Sequence, residues 1–293
     1  MNRFNSLLAV FISYALAIFL AYLSLSFFSN YHILIQIVLA DIIATIIIYF
    51  SSVIFKNSSV YDPYWSIVPV FIFIQLFIFT SSSFSSIPLL MILFNILFWS
   101  VRLTSNWIKN WEGMLYEDWR YIDMRNYSGN FFEFSNFFGI HLLPTLIVYA
   151  CCIPIYFICY DGYVLSIYTY LGFCISFIGV LYEIISDYQL FKFRENKNRD
   201  GNIINTGLWK YSRHPNYWGE ILFWWGLYLY VVNFAPAYMI LAPICMTLMF
   251  IYISIPWIES KILKTRSEYK EYQYKTHFLI PEVAFIKSII KKQ

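Results

Sequence analysis

The chain has 293 residues, of which 60% are hydrophobic and 13% charged, and its mean hydropathy is +0.59. A water-soluble fold of that composition would lack the polar surface to cover its core, so the expected class is an all-α integral membrane protein. The net charge of +3 is small and its basic residues border apolar runs, as solvated loops do, which argues against nucleic acid as a partner.

In chain order, apolar stretches of spanning length lie at about 7 to 28, 32 to 55, 65 to 80, 88 to 108, 139 to 160, 164 to 191, 216 to 233 and 236 to 257. This predicts a multi-pass bundle of about eight transmembrane helices within one membrane domain, 1–293. The first run is a full span preceded by Arg3 and lacks a small-residue cleavage signature, so it reads as a retained helix. The joins near 29–31, 81–87, 161–163 and 234–235 contain no Lys or Arg, and the Ser-rich 81–86 reads as an outer loop. Basic residues fall instead at Arg3, Lys56, 102–125, 192–213 and from Lys261 onward. An even span count then puts both termini on the basic side, which the positive-inside rule makes cytoplasmic. The membrane expected is that of the endoplasmic reticulum in a eukaryote, or the cytoplasmic membrane in a bacterium. The ending Lys291-Lys292-Gln293 is one residue out of step with a dilysine retrieval signal.

All five cysteines fall inside predicted helices, with no Cys-x-x-Cys and no His at ligand spacing, so neither a disulfide framework nor a metal site is expected. Charges inside helices carry more information. Glu183 and Asp187 are four apart on one helical face, and Arg194 lies seven beyond Asp187 on roughly the same stripe. Carboxylates in lipid are costly and should face the bundle or a wet cavity. They form either an interhelical polar clamp or the wall of a polar-ligand pocket, and the segment that follows favours the pocket.

That segment, 207–220, packs Arg213, His214, Asn216 and Glu220 into a few residues before an apolar run. The guanidinium of Arg213 offers a fork of donors for a phosphate or carboxylate. Pro215 can open a helix whose free N–H groups suit an anion. Asn216 both donates and accepts, Gly219 permits close approach, and Glu220 accepts from hydroxyls or an amide. His214 reads either as a structural hydrogen-bonding partner or as a proton carrier. Together these groups suit a polar ligand of dinucleotide size.

The run Gly-Leu-Trp-Lys-Tyr-Ser-Arg-His-Pro-Asn-Tyr-Trp-Gly-Glu, followed by Trp224-Trp225-Gly226, resembles the C-terminal domain of the steroid 5α-reductase superfamily, in particular its DUF1295 branch. Asp62-Pro63-Tyr64-Trp65, Arg102 through Trp107, Glu117 through Tyr121, Asp187-Tyr188-Gln189 with Arg194, and the tail Ile255-Pro256-Trp257-Ile258-Glu259 through Tyr269, Tyr272 and Pro281 resemble that branch in the same order. The reductase-like C-terminal part is 139–293. The resemblance implies a membrane reductase that takes NADPH from the cytoplasm and reduces a carbon–carbon double bond of a lipid or sterol-like substrate from the bilayer. It assigns Asp187, Arg194, Asn216, Gly219 and Glu220 to the cofactor and Arg102 to the substrate and cofactor cavity; Arg213, His214 and Tyr217 of the same segment are further cofactor-binding candidates.

The family's acid does not carry over directly. Those reductases use a Glu and a Tyr, and alignment on Arg102 puts Trp99 where the phenol should be. Asp62 is the nearest acidic candidate, with Tyr64 or Tyr61 beside it, although Asp-Pro at a helix start is equally a capping arrangement. A second reading is an S-adenosylmethionine-dependent methyltransferase of the isoprenylcysteine carboxyl type, which shares an Arg-His-Pro-x-Tyr segment and a Glu-plus-Tyr tail. The abundance of arginines (Arg120, Arg125, Arg194, Arg199, Arg213) favours the phosphate-rich NADPH over the cationic methyl donor. A third reading is a non-catalytic lipid-binding protein; nothing in the sequence identifies a protein partner.

Overall fold

The computed structural model describes residues 1–80, 86–159, 163–196 and 202–281. Residues 81–85 of the Ser-rich run, Arg199 and the Lys291-Lys292-Gln293 ending lie outside the described residues. Helices account for all the regular structure described: α1 (Arg3–Ser24), α2 (Ile33–Phe55), α3 (Tyr64–Phe79), α4 (Ile87–Asn110), α5 (Trp119–Ser128), α6 (Phe132–Ser135), α7 (Leu143–Cys152), α8 (Pro154–Cys159), α9 (Ile167–Glu195), α10 (Pro215–Leu229), α11 (Leu241–Met249), α12 (Ile255–Thr265) and α13 (Tyr269–Lys275). A π-helical turn, Asn136–Leu142, leads into α7, and another, Phe250–Ser254, joins α11 to α12.

Among the described residues, seven helical stretches are long and apolar enough to cross a membrane: Arg3–Phe28, Ile33–Phe55, Ser58–Phe79, Ile87–Asn110, Trp119–Cys159, Ile167–Glu195 and Ala237–Thr265. The protein is a multi-pass helical membrane protein, with seven such stretches where the sequence predicted about eight. The difference lies at 216–233. Its helix, α10, stops at Leu229 after 15 residues, roughly 22 Å at 1.5 Å per residue, which falls short of a hydrocarbon layer of about 30 Å.

Local chemistry sets several helix ends. The Asn2 side chain accepts from the Asn5 N–H at the start of α1, at 2.8 Å, and Asp118 accepts from the Arg120 N–H at the start of α5, at 2.9 Å; both satisfy otherwise unpaired backbone donors. Lys56 closes α2 in the left-handed conformation, φ 52°. Pro215 opens α10 at its first turn, as the sequence predicted. At α3 the N-cap position belongs to Pro63 and makes no side-chain cap.

The chain divides into two compact units, Met1–Ser166 with Val231–Met239, and Ile167–Tyr230 with Ile240–Gln293. The first contains α1 to α8. Its core includes Trp99, Phe73, Ile37, Ile48 and Leu76, all buried, and the Tyr14 phenol ties α1 to the Val60 carbonyl at 2.6 Å. The second is organised by the antiparallel pair α9 and α10, where Gly172 meets Gly226 and Gly179 meets Gly219. A Cβ on Gly179 would lie 2.6 Å from the Gly219 carbonyl oxygen and 2.8 Å from the Phe223 nitrogen. The absence of side chains lets the two backbones touch, the usual device for helix association in lipid. Ser176 lies between the two glycine levels and donates to the Phe223 carbonyl at 3.0 Å.

Gly179→Val should therefore lower the melting temperature of the detergent-solubilised protein, through an overpacking cost of about 1–3 kcal/mol or more. Gly139→Ala should leave it almost unchanged, because a Cβ there meets nothing within 4 Å. Thermal unfolding of the two variants beside the wild type is the check.

Candidate functional site

Two polar clusters hold the residues singled out from the sequence, one in each unit. In the C-terminal unit, α9 presents a row of polar groups toward the 207–220 segment. The Gln189 Oε1 accepts from the Leu208 N–H at 2.9 Å, and the Ser186 carbonyl accepts from the Trp209 indole at 3.0 Å. Gly207, with φ +58°, makes the tight turn that brings this loop onto α9. On the residue after Ser186, the Asp187 Oδ1 accepts from the Asn216 Nδ2 at 3.4 Å, while the Asn216 Oδ1 accepts from the Tyr217 N–H at 3.1 Å.

Gly219 lets α10 lie against Glu183, since a Cβ there would stand 2.7 Å from the Glu183 Cγ. Glu183 and Glu220 are both buried, and the Trp224 indole donates to Glu220 at 2.9 Å. Asp187, Asn216 and Gly219 thus line one seam between α9 and α10, with Glu220 the next residue of α10. Arg194, near the end of α9, is exposed.

Arg213 and His214 serve a different centre. The Glu259 carboxylate on α12 accepts from the Arg213 Nε at 2.8 Å and Nη2 at 3.4 Å, the His214 Nε2 at 2.8 Å, the Tyr269 hydroxyl at 3.0 Å and the Gln273 Nε2 at 2.7 Å. The Arg213 Nη1 donates to the carbonyls of Gln273 at 2.8 Å and Thr276 at 3.4 Å, so every guanidinium nitrogen is engaged within the protein. Because the carboxylate only accepts, the proton of neutral His214 is assigned to Nε2. Burial lowers the His214 pKa below the ordinary imidazole value, partly opposed by Glu259. Burial likewise raises the Tyr269 and Tyr272 phenols above theirs, so both remain hydrogen-bond donors.

The same centre closes the tail onto the loop. Tyr272 donates to the Trp209 carbonyl, Ser212 donates to the Leu279 carbonyl at 2.5 Å, and the Arg213 N–H donates to the His277 carbonyl at 2.8 Å. The role of Glu259 was not read from the sequence. Its place within an apolar span was the available signal, since a carboxylate there needs several partners.

In the N-terminal unit, Tyr121 on α5 donates to the Asp62 Oδ1. Asp62 is thus held by a phenol, and the cap position beside it is taken by Pro63. The pairing of Tyr121 with Asp62 was not read from the sequence, in which 59 residues separate the two. Tyr64 donates to the Asp41 Oδ1 at 2.7 Å, Arg102 lies partly buried on α4 and Trp99 is fully buried there. Arg120 pairs with Asp118 at 2.8 Å and Arg125 with Glu117 at 3.0 Å, both inside their own segment.

This combination, a bundle of membrane helices with polar seams built into it, defines a helical multi-pass membrane protein. Residues 48–276 match the family described as "Protein of unknown function (DUF1295)", and the chain belongs to that family. It is also 26% identical, over 198 residues, to the Schizosaccharomyces pombe protein named "Uncharacterized protein C594.04c"; the aligned region covers 60% of this chain and 58% of that relative. No solved structure matches the chain.

Glu259→Gln should destabilise the C-terminal unit by about 3–5 kcal/mol, the scale of leaving a buried charge without its counter-ion. Pairing it with Arg213→Met should recover part of that loss by removing the stranded guanidinium. Thermal unfolding, together with limited proteolysis of the 266–281 segment, reads both effects.

Proposed function

We propose that this protein is a membrane-embedded, NADPH-dependent reductase acting on a carbon–carbon double bond of a lipid or sterol-like substrate. The observation that carries the reading is the α9–α10 seam, in which Asp187 meets Asn216 and Gly219 packs on α9 where α10 begins, with Glu220 the next residue along. Resemblance to the steroid 5α-reductases supports it, since their cofactor Asp, Asn, Gly and Glu correspond to these four positions.

The donor set suits such a cofactor. Asp187 and Asn216 supply acceptors and donors for ribose hydroxyls or a carboxamide. Exposed Arg194 offers a fork of donors to a phosphate. When bound, the nicotinamide supplies a hydride. The protein's part is to orient that group, exclude water and polarise the substrate as charge develops on it. In the N-terminal unit this reading assigns polarisation of the substrate to Asp62, held by the Tyr121 phenol, with Tyr64 and Arg102 as further candidates.

The methyltransferase reading is retained on one specific observation. Of the arginines that favoured a phosphate-rich cofactor, Arg120, Arg125 and Arg213 are paired with carboxylates of the protein itself. A cationic methyl donor would need none of these three.

Purified protein should bind NADPH saturably, and Arg194→Ala should weaken binding by roughly 1 to 3 kcal/mol, with a smaller effect on NADH. Isothermal titration with both nucleotides and with S-adenosylmethionine is the measurement. Saturable binding of S-adenosylmethionine without NADPH would move the protein to the methyltransferase class.

Asp62→Asn should leave NADPH affinity nearly intact while lowering turnover by about 10²-fold or more, the scale of losing a positioned acid. NADPH oxidation with a lipid extract of the source cells, beside a thermal-stability control, is the assay. Full activity in a stable Asp62→Asn protein would remove Asp62 from the mechanism.

A further inference from the structure

The N-terminal unit contains a second polar construction, separate from the Asp62–Tyr121 contact. On α2, Asp41, Thr45 and Tyr49 recur every fourth residue and share one face; on the chain entering α7, His141, Thr145 and Tyr149 do the same. The two rows meet in antiparallel order. Thr45 and Thr145 touch through their hydroxyls at 3.1 Å, and the Tyr49 ring lies edge-on to His141 at 5.6 Å.

Residues next to and within α3 fill in between. Tyr64 donates to the Asp41 Oδ1 at 2.7 Å and has Thr45 as a neighbour. The Tyr61 hydroxyl is 2.9 Å from the Thr145 Oγ1, and its ring packs on His141 at 4.7 Å. Because the Thr145 proton is donated to the His141 carbonyl at 2.8 Å, the Thr45 and Tyr61 hydroxyls both donate to Thr145.

Below His141 the polar groups continue. The His141 Nδ1 donates to the Asn136 carbonyl at 2.9 Å, Ser58 donates to the Asn136 Oδ1 at 3.0 Å, and the Asn136 Nδ2 donates to Glu133 at 3.2 Å. Glu117 then accepts from the Ser58 N–H at 2.8 Å and pairs with Arg125. The row thus runs from the end of the unit that carries Lys56 and Arg125 to Asp41 inside α2.

Two atoms of this row are buried with no hydrogen-bond partner among the described residues, the Asp41 Oδ2 and the His141 Nε2. A merely structural clamp would satisfy both, because an unmade hydrogen bond in an apolar interior is costly. With Nδ1 donating to a carbonyl, the neutral His141 ring presents Nε2 as a free base.

We propose that the Asp41, Tyr64, Thr45, Thr145, Tyr61, His141 row is a proton relay into the N-terminal unit. A proton that leaves Asp41 for the substrate carbon beside the one receiving the hydride is replaced through the rotating hydroxyls, each giving up one proton and taking another. His141 takes the incoming proton at Nε2, its free base, from water at the unpaired position and passes it to the hydroxyl row at Tyr61, which packs on the ring. One proton enters for each that leaves, and no electron moves. The use of the relay rests on the reductase reading, in which each hydride delivered to a double bond must be matched by one proton.

The test needs neither cofactor nor substrate. The full chain in lipid nanodiscs is transferred to heavy water and followed by infrared spectroscopy, using the carboxyl C=O band that disappears in Asp41→Asn. Thr145→Val should slow hydrogen–deuterium exchange of that band by about 10²-fold or more, the scale of losing a positioned proton-transfer group. Thr145→Ser, which keeps the hydroxyl, should exchange as the wild type does. Equal rates in Thr145→Val and Thr145→Ser, or no exchangeable band belonging to Asp41, would overturn the relay. Failure of the reductase reading would show separately, as normal exchange in a protein that binds no NADPH.

Discussion

A carboxylate placed in an apolar helix must be surrounded by donors, and the C-terminal unit is arranged around one such group. Glu259 collects Arg213, His214, Tyr269 and Gln273, drawn from the loop before α10 and from α13. Satisfying it therefore fastens both the tail and the start of α10. The position of Asn216, Gly219 and Glu220 follows, because they lie on the first turns of the helix that His214 and Pro215 begin. A residue outside the candidate cofactor seam thus determines where the seam is.

The same constraint divides the arginines by role. An arginine engaged in the protein's own carboxylate pairs contributes to architecture, since using it for a ligand would strand its partner. Arg213, Arg120 and Arg125 belong to that group. Counting basic residues does not register this internal pairing, which only the packed structure shows. The Gly172, Gly179, Gly219 and Gly226 contacts make the complementary point for apolar packing: removing side chains brings α9 and α10 close enough for Asp187 to reach Asn216.

Polar groups in the N-terminal unit obey the rule differently. Asp62 is met by a phenol and Asp41 by another, with no arginine or lysine hydrogen-bonded to either among the described residues. Hydroxyls and an imidazole can exchange protons as well as share them, whereas guanidinium pairs hold a fixed charge. Glu259 is accordingly held by ion pairing with Arg213, whereas Asp41 and Asp62 are met by phenols.

Hydropathy and the absence of dense charge were enough to establish a multi-pass helical membrane protein, because lipid forces each spanning backbone to satisfy itself within its own helix. The opening of α10 at Pro215 was equally legible, being a property of one residue's fixed φ and missing N–H. The four-residue spacing of Glu183 and Asp187 placed both on one face of α9 for the same local reason. What opposed that face, and which donors met each carboxylate, depended on residues far away in the chain: Tyr121 for Asp62, Glu259 for Arg213 and His214, Thr145 for Thr45. Periodicity records the side of a helix on which a residue lies, but a hydrogen bond depends on which other helix arrives there and how closely, and only the packed structure decides that.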